Sequence, residues 1–446
     1  MKKILLSFLF FLPSIHAHFD SRTKEIFYLD QAFNSQPKKP WTFIVYMASD
    51  NDLFYFTKRN LDDMKKVGSN QNLNIVVQMD PTGISGSTKR LYVGYNKIYQ
   101  VNSPTSQEKQ DAGSEKTLIE CCKWAIQNYP AQNYALILWN HGSGILDSVG
   151  GKLLNATELF RLNPQTGYLE LDRTLSFLHY AEAREKKRGV CFSDTYGTFL
   201  TNQKLEYALR EVVKILPKGK FDLIGFDACL MAMAEVANLI RPYASYMAAS
   251  EEVELGTGWA YNLVLQPFLR SVPTPAEFGV HIANSFRDFY LPITQDFTFS
   301  CIDLSKTALL EKALNTACYD LLDALEYQEY DSVYRSLKNA RKKNACTHFA
   351  EPSYIDLDHF LKNIYESIPT FKLRYNEQTI KDNLRKSILA VRAAISQCVL
   401  NNVTGANVRN AKGIAIYFPL YVIDRTYGKT PFASETRWLS FIQKAL

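Results

Sequence analysis

From Trp41 to Ser250 the chain repeats one pattern: a short, nearly unbroken apolar run, a polar break, then a longer stretch with apolar residues at helical spacing. The runs are WTFIVYMA (41–48), NLNIVVQMD (72–80), YALILWN (134–140), FDLIGFD (221–227) and YMAAS (246–250). Helical spacing marks Leu53–Val67, Glu115–Asn128, residues 202–215 and the segment MAMAEVANLI. Apolar runs without polar alternation suit strands buried on both faces, and their alternation with helices predicts an α/β sheet covered on both sides. RLYVGYNKIYQV, near residues 90–101, reads as a hairpin.

Residues 145–200 interrupt this rhythm as a long polar insertion, with a candidate helix over Leu171–Arg184 and the basic run REKKR at its end. Beyond about residue 262 the helical pattern dominates, over Ala276–Tyr290, Lys306–Leu325, Val333–Ala340 and Thr379–Cys398. GIAIYFP (413–419) is a late strand that either rejoins the main sheet or forms a small second one. The expected division is a catalytic-type core over 41–261 and a helix-rich region over 262–446.

The opening residues, MKKILLSFLFFLPSIHA, join two lysines, an apolar run from Ile4 to Leu12, a break at Pro13 and a small residue at Ala17. That is the layout of a signal peptide over residues 1–17, cut after Ala17, which implies export to the periplasm or the medium. The run is too short for a comfortable membrane span, so no stable insertion is expected. Residues 18–40 then form an N-terminal arm.

A chain of 446 residues with 46% hydrophobic and 13% aromatic content has material for a sizeable core, which excludes disordered and collagen-like classes. The formal net charge is +6, and Lys2 and Lys3 of the leader contribute to it. Basic runs at Arg184–Arg188 and Arg341–Lys343 have no interleaved aromatics for base stacking, so nucleic acid is not an expected partner. Eight dispersed cysteines contain no CxxC and no metal-ligand spacing. Up to four disulfides are compatible with an oxidising compartment, and their pairing is not readable. His179, His281, His348 and His359 fall at irregular intervals, so no metal is assigned and no cofactor is required.

Ligand sites in open α/β sheets form at the carboxyl ends of strands. Two segments put reactive side chains there. In ILWNHGSG a buried strand stops at Asn140 and His141 opens a glycine-rich turn; in LIGFDACLMAMAE a strand stops near Asp227 and Cys229 begins the next helix. A cysteine at a helix amino terminus has its thiolate favoured by the helix dipole, and a nearby imidazole can protonate a leaving amine. The N–H groups of Gly142 and Cys229 are candidates to hold an oxyanion. The residues alone point to covalent acyl transfer, but a core thiol and a structural histidine are the commoner roles for such positions.

FIVYMASDNDL (43–53), LILWNHGSG (136–144), DLIGFDACLMAMAEVA (222–237), AASEEVELGTGWAY (248–261) and GIAIYFP resemble, in order and spacing, the clostripain family of cysteine peptidases. The resemblance implies a caspase-like, mostly parallel sheet flanked by helices, as in gingipains and legumains. It also implies peptide-bond hydrolysis through a Cys/His dyad without an essential third member. His141 matches the family's histidine and Cys229 its nucleophile. Asp227 falls on an acidic pocket position associated with Arg or Lys at P1, with ordering of its turn through backbone N–H bonds as the lesser alternative. Family members often carry an acid inside the following G-x-G; here GTG puts Thr257 there, and Glu251, Glu252 and Glu254 are candidates to compensate. Trp139 and Trp259 wall the pocket or simply pack, and Asp50 and Asp52 lie at its rim.

Several relatives are cut between histidine and cysteine, which makes Lys186, Lys187 and Arg188 candidate self-processing points. Some relatives use calcium; it enters by resemblance only, since no EF-hand-like ligand spacing is present. The expected function is an exported endopeptidase acting on peptide or protein substrates with a basic P1 preference. The alternatives are an idle binding protein on the same scaffold and a transpeptidase; the oligomeric state is open.

Overall fold

Alternate side chains of the strand Lys39–Met47 meet two different layers. Trp41 and Phe43 pack edge-on against Phe278, with ring centroids 5.3 and 6.0 Å apart. Thr42 Oγ1 instead donates to the Tyr129 carbonyl at 2.7 Å and the Tyr46 hydroxyl to that of Ala112 at 2.9 Å. Helices Phe54–Val67 and Pro275–Tyr290 therefore lie on one face of the sheet, and Glu115–Asn128 and Asn202–Val212 on the other. Burial on both faces explains the unbroken apolar runs. These relations come from a computed structural model, which describes residues 37–83, 86–101, 108–147, 159–173 and 189–446, with the backbone of 15–16 and 26–29.

Among the described residues, eleven strands form one sheet. Its centre is five parallel strands in the order Leu73–Met79, Lys39–Met47, Ala131–Trp139, Phe221–Asp227, Ala244–Ala249. The hairpin Lys89–Gly94/Lys97–Val101 extends one side, with Ile26–Leu29 and Ile15–His16 beyond it. Thr298–Asp303 and Val399–Thr404 extend the other side, both antiparallel. The sheet is thus mixed, with its parallel pairs concentrated at the centre, rather than mostly parallel throughout.

The last two strands are not expected from the sequence pattern. Thr298–Asp303 is short and set among helical patterns, and Val399–Thr404 carries polar Asn401 and Asn402 because it is the sheet's edge. The late strand, Ala415–Tyr417, pairs with Tyr354–Asp356 in a small separate sheet. Helix Leu357–Ser367 is likewise absent from the sequence reading, while Thr307–Tyr327 and Glu377–Cys398 pack together as expected helices. Within the insertion, Leu171 closes a short strand instead of opening a helix, Asp172 and Arg173 follow it outside any helix, and the candidate helix beyond Arg173 lies outside the described residues. All eight cysteines are free and buried.

Candidate active site

The central strands end flush. Met47 is paired with Trp139, and Trp139 with Asp227, so the loops leaving three neighbouring strands emerge side by side. His141 and Cys229 each stand two residues past one of these paired positions, on strands separated by the usual ~4.8 Å. Both line a single pocket, together with Asp227, Glu254, Trp139 and Leu53.

Close backbone approach holds the two loops together. A Cβ on Gly142 would fall 2.5 Å from the Cys229 carbonyl oxygen and 3.1 Å from the Ala228 Cβ. No side chain fits there without pushing the histidine loop away from the cysteine turn. Gly142→Ala is therefore expected to lower kcat by about a hundredfold while the fold survives, since misplacing reacting groups by about 1 Å has that cost. Steady-state rates beside a thermal melt would check it, and an unchanged kcat would refute it.

Cys229 does not begin a helix. The helix behind it starts at Ala234, and Cys229 sits in an intervening turn whose next residue, Leu230, has φ +64°. The helix-dipole argument for the thiolate consequently does not apply. Burial pushes the Cys229 thiol up, and the carboxyls of Glu254, Glu252 and Asp227 push the same way against one backbone hydrogen bond. That bond runs from the Glu254 N–H to Sγ at 3.2 Å, and Sγ in turn faces the Glu254 carbonyl at 3.8 Å. In this arrangement the sulfur is covered and protonated at neutral pH.

His141 is 4% exposed, and its Nε2 lies 2.8 Å from Asp52 Oδ1. With Nε2 engaged, Nδ1 is the nitrogen left for proton exchange. Asp52 lies just past the first central strand, and its sequence signal is only that place at a strand end. Asn140 fixes the start of the histidine loop: its side-chain amide donates to the Ala48 carbonyl and its Oδ1 accepts from Phe192 N at 2.9 Å. Ser143 Oγ accepts from Gly189 N at 2.7 Å, and Gly142 bridges to Val190.

Asp227 closes the cysteine strand and is buried beneath the loop that starts after Ser250. It accepts hydrogen bonds from Trp259 N at 3.2 and 3.3 Å and from the Tyr261 hydroxyl at 2.8 Å. Gly258, at φ +61°, lets the chain pass directly over this carboxyl, where a Cβ would sit 2.6 Å from Oδ1. Burial lifts the Asp227 carboxyl to about 7. The turn-ordering role and a pocket-lining position coexist in this residue.

Other candidates separate. Glu251 is not at the pocket: its carboxylate takes the Gly413 N–H at 3.1 Å and lies beside Asp356. Thr257 is held through its carbonyl by Asn60 Nδ2 at 3.1 Å, with its buried hydroxyl unpartnered. Trp259 packs edge-on against Phe299 at 5.4 Å, so its ring belongs to the core, whereas Trp139 lines the pocket and donates to Asn60 Oδ1 at 2.8 Å. Asp50 accepts from Ser193 Oγ and Thr195 N, so it anchors the 190–200 ribbon. Lys186, Lys187 and Arg188 lie outside the described residues.

A thiol and an imidazole at the mouths of adjacent strands, above a buried acid, suit acyl transfer. The model of the clostripain family of peptidases, designated C11, matches residues 45–152 and 176–443. The chain belongs to the clostripain family. It is 25% identical over 270 residues to clostripain of Hathewaya histolytica, a match that spans 55% of this chain and only 45% of that protein's length. Its fold resembles a secreted C11 cysteine protease from Bacteroides thetaiotaomicron bound to an irreversible peptide inhibitor, at 20% identity and a TM-score of 0.59, covering 90% of this chain and 99% of that one. It also resembles an inactive zymogen C11 protease from Parabacteroides distasonis, at 20% identity, a TM-score of 0.58 and the same coverage. The caspase-like α/β architecture agrees with these likenesses.

Proposed function

We propose that the chain is an exported cysteine endopeptidase with a preference for Arg or Lys at P1, made in a latent form. The observation that carries this reading is the meeting of His141 and Cys229 at flush ends of neighbouring parallel strands, in one pocket with Asp227. The Cys229 thiol passes its proton to His141, and sulfur attacks the peptide carbonyl. The oxyanion is held by the N–H groups of Gly142 and Cys229. His141 then protonates the departing amine, and water releases the acyl group to restore the thiol.

Latency is supported by the covered sulfur and by the pocket itself, whose free space of about 20 Å³ has room for about one water and for no Arg or Lys side chain. Self-processing at Lys186, Lys187 or Arg188 is supported by the described residues next in the chain, since Gly189 and Val190 are bonded to Ser143 and Gly142 of the histidine loop. Export rests on the leader, and the similar Bacteroides protease is itself a secreted one. Among the described residues no helix is long and apolar enough to cross a membrane. Among them, too, no group of three or more His, Cys, Asp and Glu is placed to hold a metal.

The test is digestion of a peptide library by the chain lacking residues 1–17, with intact mass recorded before and after incubation. Cleavage after Arg or Lys, with conversion to two chains split within 184–189, is the expected result. Triple replacement of Lys186, Lys187 and Arg188 by Ala should leave one chain and lower the initial rate at least about tenfold. Peptide products joined to an added amine would mark a transpeptidase, and no cleavage under any condition would leave the idle-scaffold reading.

A further inference from the structure

We propose that Arg173 is a positioning residue for Cys229: from the insertion, outside the pocket, it holds Glu252 and through it the stretch 250–254 that frames the nucleophile. The inference rests on the peptidase reading above and adds to it a residue that acts through another.

The turn that carries Cys229 is tied to that stretch along its length. Leu230 N donates to the Glu252 carbonyl at 3.2 Å, Ala232 N to the Ser250 carbonyl at 2.8 Å, and Glu254 N to Cys229 Sγ at 3.2 Å. A shift of Glu252 therefore carries the sulfur with it. The Glu252 main-chain N–H rests on Thr298 Oγ1 at 3.0 Å, and its side chain reaches away from the pocket. There Oε1 accepts from Ala350 N at 2.7 Å and Val253 N at 3.0 Å, while Oε2 accepts from Arg173 Nη2 at 3.2 Å.

Arg173 serves two buried acids at once. Glu252 is fully buried and Asp296 is 2% exposed, and Nη2 also donates to Asp296 Oδ1 at 2.9 Å. Nη1 donates to the His348 carbonyl at 3.0 Å, and the Arg173 carbonyl takes Lys343 Nζ at 2.7 Å. Asp296 Oδ2 in turn accepts from Leu171 N at 3.1 Å, which fixes the chain just before the arginine. Removing one partner from a buried ion pair leaves an uncompensated charge, which costs far more than losing a surface pair. Lysine cannot replace the planar fork that reaches three acceptors together.

The charged and titratable groups around Glu252 come from four places: Arg173 in the insertion, Asp296 before strand Thr298–Asp303, Glu251 beside it and Cys229 in the turn. Near Arg173 lie Lys343 and His348, the latter kept neutral by burial. Burial pushes the Glu252 carboxyl up, and Arg173 is the largest influence drawing it back down. Without Arg173 the carboxyl rises further, keeps its proton in mild acid and ionises as pH rises, unpaired beside Asp296. The harm done by losing Arg173 therefore grows with pH.

The experiment measures cleavage of one peptide by the chain lacking residues 1–17 between about pH 6 and 8.5, with rates expressed per Cys229 labelled by a peptide electrophile. Arg173→Met should lower kcat at least about tenfold with KM within about twofold, and the loss should deepen with pH. Adding Glu252→Gln, which keeps an acceptor for Ala350 N, should cost nothing further and remove the pH-dependent part, because the two residues act as one unit. A loss confined to the fraction of protein that labels, or losses that multiply in the double variant, would show a merely structural role and overturn the proposal. Should Arg173→Met fail to fold, Arg173→Lys decides: at least about a threefold loss in kcat per labelled site is expected, and a wild-type rate overturns the proposal. Wild-type cleavage with unimpaired Arg173 variants leaves the peptidase reading standing. Absence of any wild-type cleavage overturns that reading, and the positioning role with it.

Discussion

Replacing Cys229 by Ala is expected to lower kcat by at least about ten-thousandfold and to leave the protein as a single chain of unchanged mass on prolonged incubation. No other group lining the pocket offers a comparable nucleophile: Ser143, the nearest hydroxyl on the histidine loop, is spent on Gly189 and on packing the loop. The change is nearly silent for stability. Sulfur is lost from a buried site with two weak backbone contacts to Glu254, so the cost should stay within about 1–2 kcal/mol, a few degrees in melting temperature for a chain of this size. Rates and melts measured together separate the two effects. A variant that melts normally yet cuts at a tenth of the wild-type rate would remove Cys229 from the chemistry.

The central sheet was legible because its strands are buried on both faces. FDLIGFD marks residues 221–227 without error, and Glu115–Asn128 emerges with its observed bounds, since neither needs a distant partner to be recognised. The half-polar edge strand Val399–Thr404 was not legible, because its pairing with Thr298–Asp303 crosses about a hundred residues. In the site, the strand-end positions of His141 and Cys229 were visible, but the turn between Asp227 and Ala234 was not. The continuous apolar stretch ACLMAMAEVA fits a helix from its first residue, whereas Leu230 adopts a left-handed conformation and the Leu230 and Ala232 N–H groups bond to the loop at Glu252 and Ser250. That tertiary pairing overrides local helix preference. The choice among Glu251, Glu252 and Glu254 was equally hidden, since it depends on Arg173, Ala350 and Gly413, none of them near in sequence.

His141→Ala should cost about a thousandfold in kcat or more, whereas Asp52→Asn should cost only about tenfold with KM unchanged. In the proposed mechanism the first substitution removes the group that takes the thiol proton and returns it to the leaving amine. The thiol is held protonated by burial and by three neighbouring carboxyls, so without His141 the reactive fraction of Cys229 collapses. Asp52 acts through the imidazole. Its carboxylate lies 2.8 Å from Nε2, where it fixes the ring and favours the imidazolium formed in transit; Asn keeps a polar partner there but removes the charge. A positioning role of this kind predicts that Asp52→Asn slows kcat toward amide substrates more than toward activated esters, whose leaving groups need little protonation. Equal losses on amide and ester would mean that Asp52 only braces the loop after Met47.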